Sequence, residues 1–395
     1  MLIRFEAANY RSIAEPVELS MVAIDRDRDA ARSAPHLGES LLTLAAIFGP
    51  TASGKSNVVG ALAWLRDAVQ DSLRCWEDEI PLEPFAFAAG PGQTSEFVVE
   101  STVDGIRFEY VVELTRERIH YEGLFHYPQQ KRRRIYEREG NDLRLQRGLG
   151  GLSGIRRLLT DRTLALSIAR RFDQPLVNRF ATDIAHIQTL PGRFDVDIRA
   201  TMRWFENAPP HRTGERDQAL AMLRLADLGI EDVLVEHREV GRRLRLLHKT
   251  GDQTVPLEFS AESAGTRNWF RLIGPLCTAL HNGTIMIFDE LDASLHPTLL
   301  VELLRIFHDP ALNPRGAQLI FTSHDTSLLN HLNRDEIWLT EKRQNGSTRL
   351  GALAEFAEDR GRSSRNLENA YLHGRFGALP QVDQTGLLRA LGLIG

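Results

Sequence analysis

The chain has 395 residues, 42% of them hydrophobic, and a formal net charge of −5. That length and apolar content can bury a large core and exclude an intrinsically disordered chain. The acidic balance argues against a uniformly basic nucleic-acid coat, and the two cysteines, Cys75 and Cys277, are too few and too far apart for a disulfide framework or a zinc-finger spacing.

Met1-Leu2-Ile3-Arg4-Phe5 alternates like a strand and not like a secretory signal, and no apolar run reaches the ~18 residues of a membrane span. A cytoplasmic protein without membrane association is the expectation. Arginine supplies nearly all of the positive charge, since Lys55, Lys131, Lys249 and Lys342 are the only lysines.

The apolar run Leu41 to Phe48 reads as a strand that ends abruptly in Gly49-Pro50-Thr51-Ala52-Ser53-Gly54-Lys55-Ser56-Asn57. After it, Val58, Val59, Leu62, Leu65 and Val69 recur at helical spacing. Strand, glycine loop and helix in that order are the context that gives the G-x-x-x-x-G-K-[ST] pattern meaning. Glycines let backbone N–H groups curl round phosphates, and the helix offers its positive end to the same anion. The pattern makes Gly49, Ser53, Gly54, Lys55, Ser56 and Asn57 the candidate ATP-binding set, with Lys55 reaching the β- and γ-phosphates and Ser56 holding Mg²⁺.

Short alternating stretches follow at Ser95 to Thr102, Ile106 to Leu114, Ile119 to Tyr127 and Arg133 to Glu139, separated by turns such as Asp104-Gly105. They predict an antiparallel subsheet. From about Gly151 to Gly229 leucines and isoleucines return at helical spacing without sustained heptads, which predicts a helical insertion or a helical cap completing the core. The resulting division is 1–150, 151–229 and 230–395.

Asp195-Val196-Asp197 has the D-x-D form of a metal nuclease, but no apolar strand precedes it and no partner glutamate motif lies upstream, so the chain is not read as the nuclease. Val233 to Arg238 and Arg242 to Lys249 read as a hairpin carrying Arg242, Arg243, Arg245, His248 and Lys249. With Lys131-Arg132-Arg133-Arg134 and Arg170-Arg171 it forms either a phosphate-contacting surface or a solvated charged face; the interspersed acids favour the second.

Thr284 to Phe288 is a short apolar run ending in Asp289-Glu290, as for a buried parallel strand with carboxylates at its C-terminal edge, where ligands of α/β sheets bind. Asp289 is the candidate Mg²⁺-side carboxylate and Glu290 the candidate general base. A third run, Gln318 to Thr322, leads into Ser323-His324-Asp325, with a helix at Thr298 to Phe307 completing a β-α-β unit. That spacing brings His324 to the same edge, where it could sense the γ-phosphate.

Together these residues resemble the ABC-type ATPase heads of the SMC and RecF group. The resemblance implies an α/β P-loop NTPase with a mixed, largely parallel core sheet, an antiparallel subsheet and a helical insertion lobe. Glu290-Leu291-Asp292-Ala293-Ser294-Leu295-His296-Pro297 resembles the join of Walker B and D-loop, with His324 as the switch histidine. Ser260-Ala261-Glu262-Ser263-Ala264-Gly265-Thr266 stands where the signature belongs and departs from its wording in having a single glycine; the resemblance implies that Ser263 and Gly265 contact the nucleotide of a second subunit. Asn9-Tyr10-Arg11-Ser12 resembles the first-strand motif whose arginine approaches the nucleotide, and Gln93 is a weak candidate for the Q-loop. The ending Asn366 to Pro380 is similar to the tail of ATPases from bacterial phage-defence and abortive-infection operons, PARIS systems among them. That likeness implies a homodimer or higher homo-oligomer working with a separate effector such as a TOPRIM-type nuclease. A RecF-like repair ATPase acting directly on nucleic acid is the alternative.

Overall fold

The computed structural model describes residues 1–87, 93–148, 152, 154–190, 197–206, 213–237, 241–293, 295–355 and 367–373. At its centre lies a sheet in the order Gln188–Leu190, Ile285–Phe288, Gln318–Thr322, Leu44–Phe48, Ile337–Lys342, Thr348–Ala352. All neighbours pair parallel except the last two, which form an antiparallel hairpin. The fold is therefore mixed α/β. Leu44–Phe48, Ile285–Phe288 and Gln318–Thr322 are buried along their whole length, because helices cover both faces of a parallel sheet.

Period-two alternation sorts the side chains of these strands into two cores. Ala45, Ile47, Ile285, Ile287 and Ile320 join Val58, Leu62 and Leu65 of the Lys55–Cys75 helix. Leu44, Ala46, Phe48, Met286, Phe288, Leu319 and Phe321 face the Ala264–Asn282 and Pro297–His308 helices. In the first of those helices Pro275 leaves the Arg271 carbonyl without an intrahelical donor. The Thr201 hydroxyl inserts at this break, accepting the Gly274 N–H (2.9 Å) and donating to the Phe270 carbonyl (2.7 Å).

A seven-stranded antiparallel sheet packs over the Lys55–Cys75 helix, in the order Asp142–Leu145, Arg133–Glu139, Ile119–His126, Ile106–Leu114, Ser95–Val103, Leu2–Ala8, Val17–Ser20. Its turn at Asp104-Gly105 puts both residues at positive φ (49° and 75°), as a two-residue hairpin requires. A third sheet joins Ile230–His237, Arg242–Thr250 and Gln253–Glu258, one strand more than the expected hairpin. No helix among the described residues is long and apolar enough to cross a membrane. Cys75 and Cys277 are both free thiols.

The apolar run from Leu41 to Phe48 is not one strand. Glu39–Leu42 pairs with Ala31–Ala34, and Leu44–Phe48 enters the central sheet. The break falls at Thr43, whose carbonyl takes the Leu319 N–H (2.8 Å), while the Gln318 amide donates to the carbonyls of Leu2 and Leu42 (2.9 Å each). Residues 151–229 serve both cores. Ala165–Ala169 and Pro175–Ala185 pack with the P-loop helix, Gln188–Leu190 extends the central sheet, and Arg199–Phe205 and Thr213–Arg224 lie against Ala264–Asn282.

The antiparallel sheet is tied to this segment by one fully buried carboxylate. Glu122 accepts from the hydroxyls of Tyr110 (3.0 Å) and Tyr136 (2.9 Å) and from the N–H groups of Ala165 (2.7 Å) and Leu166 (2.8 Å), with the buried Arg138 at 3.6 Å. Burial and the neighbouring Glu122 charge push both tyrosines well above their ordinary pKa, so they remain donors. Glu122→Ala leaves a buried arginine and four donors without this acceptor, and is expected to cost about 3–5 kcal/mol in urea unfolding. A loss under about 1 kcal/mol, the range of an exposed ion pair, would contradict this account.

Candidate functional site

The C-terminal ends of Leu44–Phe48, Ile285–Phe288 and Gln318–Thr322 lie side by side, with Phe288 opposite Phe321 and Ile47 opposite Thr322. Everything that follows these strands therefore meets at one edge. There a cleft of about 680 Å³, within the range of small-molecule sites, is lined by Arg11, Gly54, Lys55, Ser56, Asn57, Glu290 and His324, among others.

Backbone shape makes the loop. Gly49 (φ 152°), Ala52 (62°) and Gly54 (101°) hold positive φ, and a Cβ on Gly49 or Gly54 would run into Thr340 or Thr348. The N–H groups of Gly54, Lys55 and Ser56 have no hydrogen-bond partner among the described residues. They begin a 21-residue helix whose dipole adds positive potential at the same place. Lys55, 5% exposed, donates to the carbonyls of Gly49 (2.9 Å) and Pro50 (3.1 Å). Burial pulls its ammonium below the ordinary value, against the opposing attraction of Asp289, Asp292 and Glu290. A buried cation beside unpaired amides is a receptor for a polyanion.

Across the edge, the Thr322 hydroxyl organises the two acids. It accepts from the Glu290 N–H (2.7 Å) and donates to Asp289 Oδ1 (2.6 Å). Glu290 sits at φ 55°, a left-handed conformation that a glutamate does not favour, and is exposed into the cleft. Asp292 accepts the His324 N–H (3.0 Å), which joins the segment after one strand to the segment after the next. Ser294, within the same motif, lies outside the described residues.

Behind the loop a relay of side chains braces it. The Asn57 amide donates to the Ser12 hydroxyl (2.5 Å), Ser12 bonds Thr348 (2.7 Å), and Thr348 donates to the Ser53 carbonyl (2.9 Å). The buried Ser53 side chain shares a hydrogen bond with Thr340 (2.6 Å). Gly49, Ser53, Asp289 and Asp292 adjoin the cleft through hydrogen bonds to Lys55, Thr340, Thr322 and His324 respectively.

Ser263 and Gly265 are not brought to the cleft. Ser263 caps the Ala264–Asn282 helix by accepting the Thr266 N–H (3.0 Å), and both residues are exposed at that helix start. Asn9, of the first-strand motif, accepts the Phe85 N–H (3.0 Å) and donates to the Gln93 carbonyl (3.0 Å), and Arg11 pairs with Glu83 (2.8 Å) at the cleft. Gln93 itself does not line it, and Gly90 to Gly92 lie outside the described residues. Glu83, Phe85, Phe87, Lys342 and Gly346 also line the cleft and were not expected from the sequence. The only available signal was two aromatics in a short non-periodic stretch, Glu83-Pro84-Phe85-Ala86-Phe87.

Elsewhere, Asp197 accepts the Arg199 N–H (2.9 Å) at a helix start, and Asp195 and Val196 lie outside the described residues. Within the tail motif, Leu367–Leu372 forms a helix whose Glu368 accepts from Thr326 and Asn330 (3.2 Å each), just beyond His324; Asn366 and residues 374–380 lie outside the described residues.

A family model described as "AAA domain, putative AbiEii toxin, Type IV TA system" matches residues 44–330, which span the loop, both acids and His324. The chain belongs to this AAA-domain family. No curated protein matches it. Among solved structures, the SMC head domain from Thermotoga maritima is 13% identical, with 89% of this chain and 98% of that one covered, at a TM-score of 0.45. An SMC head bound to the C-winged helix domain of ScpA is 11% identical, with 89% and 97% covered, at 0.45. The fold of this AAA-domain protein is defined by its own strand order and register.

Thr322→Val removes both hydrogen bonds that orient the acids while leaving Lys55 and the loop amides intact. ATP turnover is expected to fall roughly 10- to 100-fold, the usual cost of losing a ligand-orienting partner, with ATP affinity within a few-fold of the parent. Unchanged turnover in a phosphate-release assay would show that the hydroxyl does not organise the site.

Proposed function

We propose that the protein binds Mg-ATP in this cleft and hydrolyses it. The observation that carries the reading is the convergence of a buried Lys55, unpartnered loop amides and an oriented Asp289–Glu290 pair on one sheet edge. Lys55 and the loop amides hold the phosphates, Ser56 and Asp289 hold Mg²⁺, Glu290 orients and deprotonates the attacking water, and His324 contacts the terminal phosphate. The magnesium ion, when bound, neutralises charge on those phosphates.

Ser263 and Gly265, exposed and remote from their own cleft, support a head-to-tail homodimer in which each copy offers them to the nucleotide of the other. Binding then closes the dimer and hydrolysis opens it. The family description, which names a toxin of a type IV toxin–antitoxin system, and the likeness of the tail support a role in phage defence. There the ATPase works as sensor or scaffold for a separate effector, such as a TOPRIM-type nuclease. Direct action on DNA is less favoured, because the basic stretches are largely neutralised by acids: Arg132 by Glu109, Arg134 by Glu137, Arg242 by Glu206, Arg243 by Glu258 and Arg245 by Glu236.

Glu290→Gln keeps the shape of the side chain and removes its basicity. With Mg-ATP it is expected to accumulate as a dimer in light scattering and to lose at least about 100-fold in turnover. Hydrolysis at the parental rate would overturn the role given to Glu290. A variant that stays monomeric with ATP would overturn the dimer.

A further inference from the structure

We infer that the side of the cleft away from Glu290 is a nucleobase subsite in which Phe87 supplies the stacking face. The inference rests on the reading of the P-loop side as a triphosphate site. Strand order sets the polarity. Glu290 and His324 follow the two strands on one side of Leu44–Phe48, whereas Lys342 and Gly346 belong to the hairpin on its other side. Neighbouring strands are about 4.8 Å apart, so the two groups of residues stand well separated along the edge with the P-loop between them. A triphosphate whose terminal group meets Glu290 directs its base toward the hairpin.

Phe87 is the aromatic waiting there. It is 75% exposed, although an exposed phenyl ring leaves a large apolar area in water. Its ring lies against Gly346, where an added Cβ would stand 3.3 Å from two ring carbons and make the ring yield by a few tenths of an ångström. The buried Phe85 braces it edge-on, with ring centroids 5.6 Å apart and planes at 76°. The segment is anchored at two points: the Phe85 N–H on Asn9 Oδ1 (3.0 Å), and the Glu83 carbonyl on the Arg11 N–H (2.6 Å). The first-strand motif thus presents an aromatic face at the open end of the phosphate cleft, and every nucleobase has a π-face to set against it.

The experiment is calorimetric titration of the full chain with Mg-ATP and, separately, with magnesium tripolyphosphate. Phe87→Ala is expected to weaken Mg-ATP binding by about 10-fold or more while leaving tripolyphosphate affinity and melting temperature unchanged. Phe87→Trp is expected to restore ATP binding, with indole fluorescence quenched by ATP and not by tripolyphosphate. ATP affinity unchanged in Phe87→Ala, or equal losses for the two ligands, would overturn the subsite while leaving the phosphate site in place. Failure of the parent to bind either ligand would overturn the phosphate site itself and this subsite with it.

Discussion

Three parallel strands in register are the constraint on which the site depends. Leu44–Phe48 lies more than 200 residues in sequence from Ile285–Phe288 and Gln318–Thr322, yet their pairing delivers the glycine loop, His324 and the two acids to one edge. Because side chains alternate along each strand, a one-residue slip would turn Ile47, Ile287 and Ile320 out of the core shared with the P-loop helix. Burial on both faces therefore fixes the register, and the register fixes the chemistry.

Held in that frame, the cleft keeps features that oppose stability. Burial pulls the Lys55 ammonium below its ordinary pKa, and Asn9, Arg11, Ala52 and Glu290 occupy left-handed backbone conformations at or near the same opening. Each such conformation costs on the order of 1–3 kcal/mol and persists only where its surroundings enforce it. They do so here through the relay from Asn57 to the Ser53 carbonyl, the Thr322 hydroxyl between the acids, and the Asn9 side chain on the Phe85 backbone. The site is preorganised by hydroxyl and amide side chains more than by ion pairs.

What could be read from the sequence followed from how locally each feature is encoded. The glycine loop declares itself because backbone shape and Lys55 must occur together at fixed spacing, and the antiparallel strands from Ser95 to Glu139 show a period of two. The break at Thr43 is hidden inside a continuous apolar run, since the bonds that mark it come from Gln318 and Leu319, far away in sequence. Gln253–Glu258 contains Pro256, which argues against an ordinary strand and is tolerated here at a sheet edge. The cleft residues Glu83 to Phe87 form no regular element, so neither periodicity nor motif marked them. Ser263 presents the opposite difficulty: its resemblance is legible, but the role proposed for it, a contact with a second subunit, would leave no trace within one chain.

Metal-directed cleavage tests the convergence most directly. Fe²⁺ is supplied with ATP in place of Mg²⁺, oxidative cleavage of the backbone is triggered, and the cut sites are mapped by mass spectrometry. The account expects ATP-dependent cuts around residues 49–56, 288–292 and 322–325, with any further cut at Ser263–Gly265 coming from the nucleotide of the facing copy. Cuts confined to one of these stretches, cuts at other surfaces, or a pattern indifferent to ATP would contradict it.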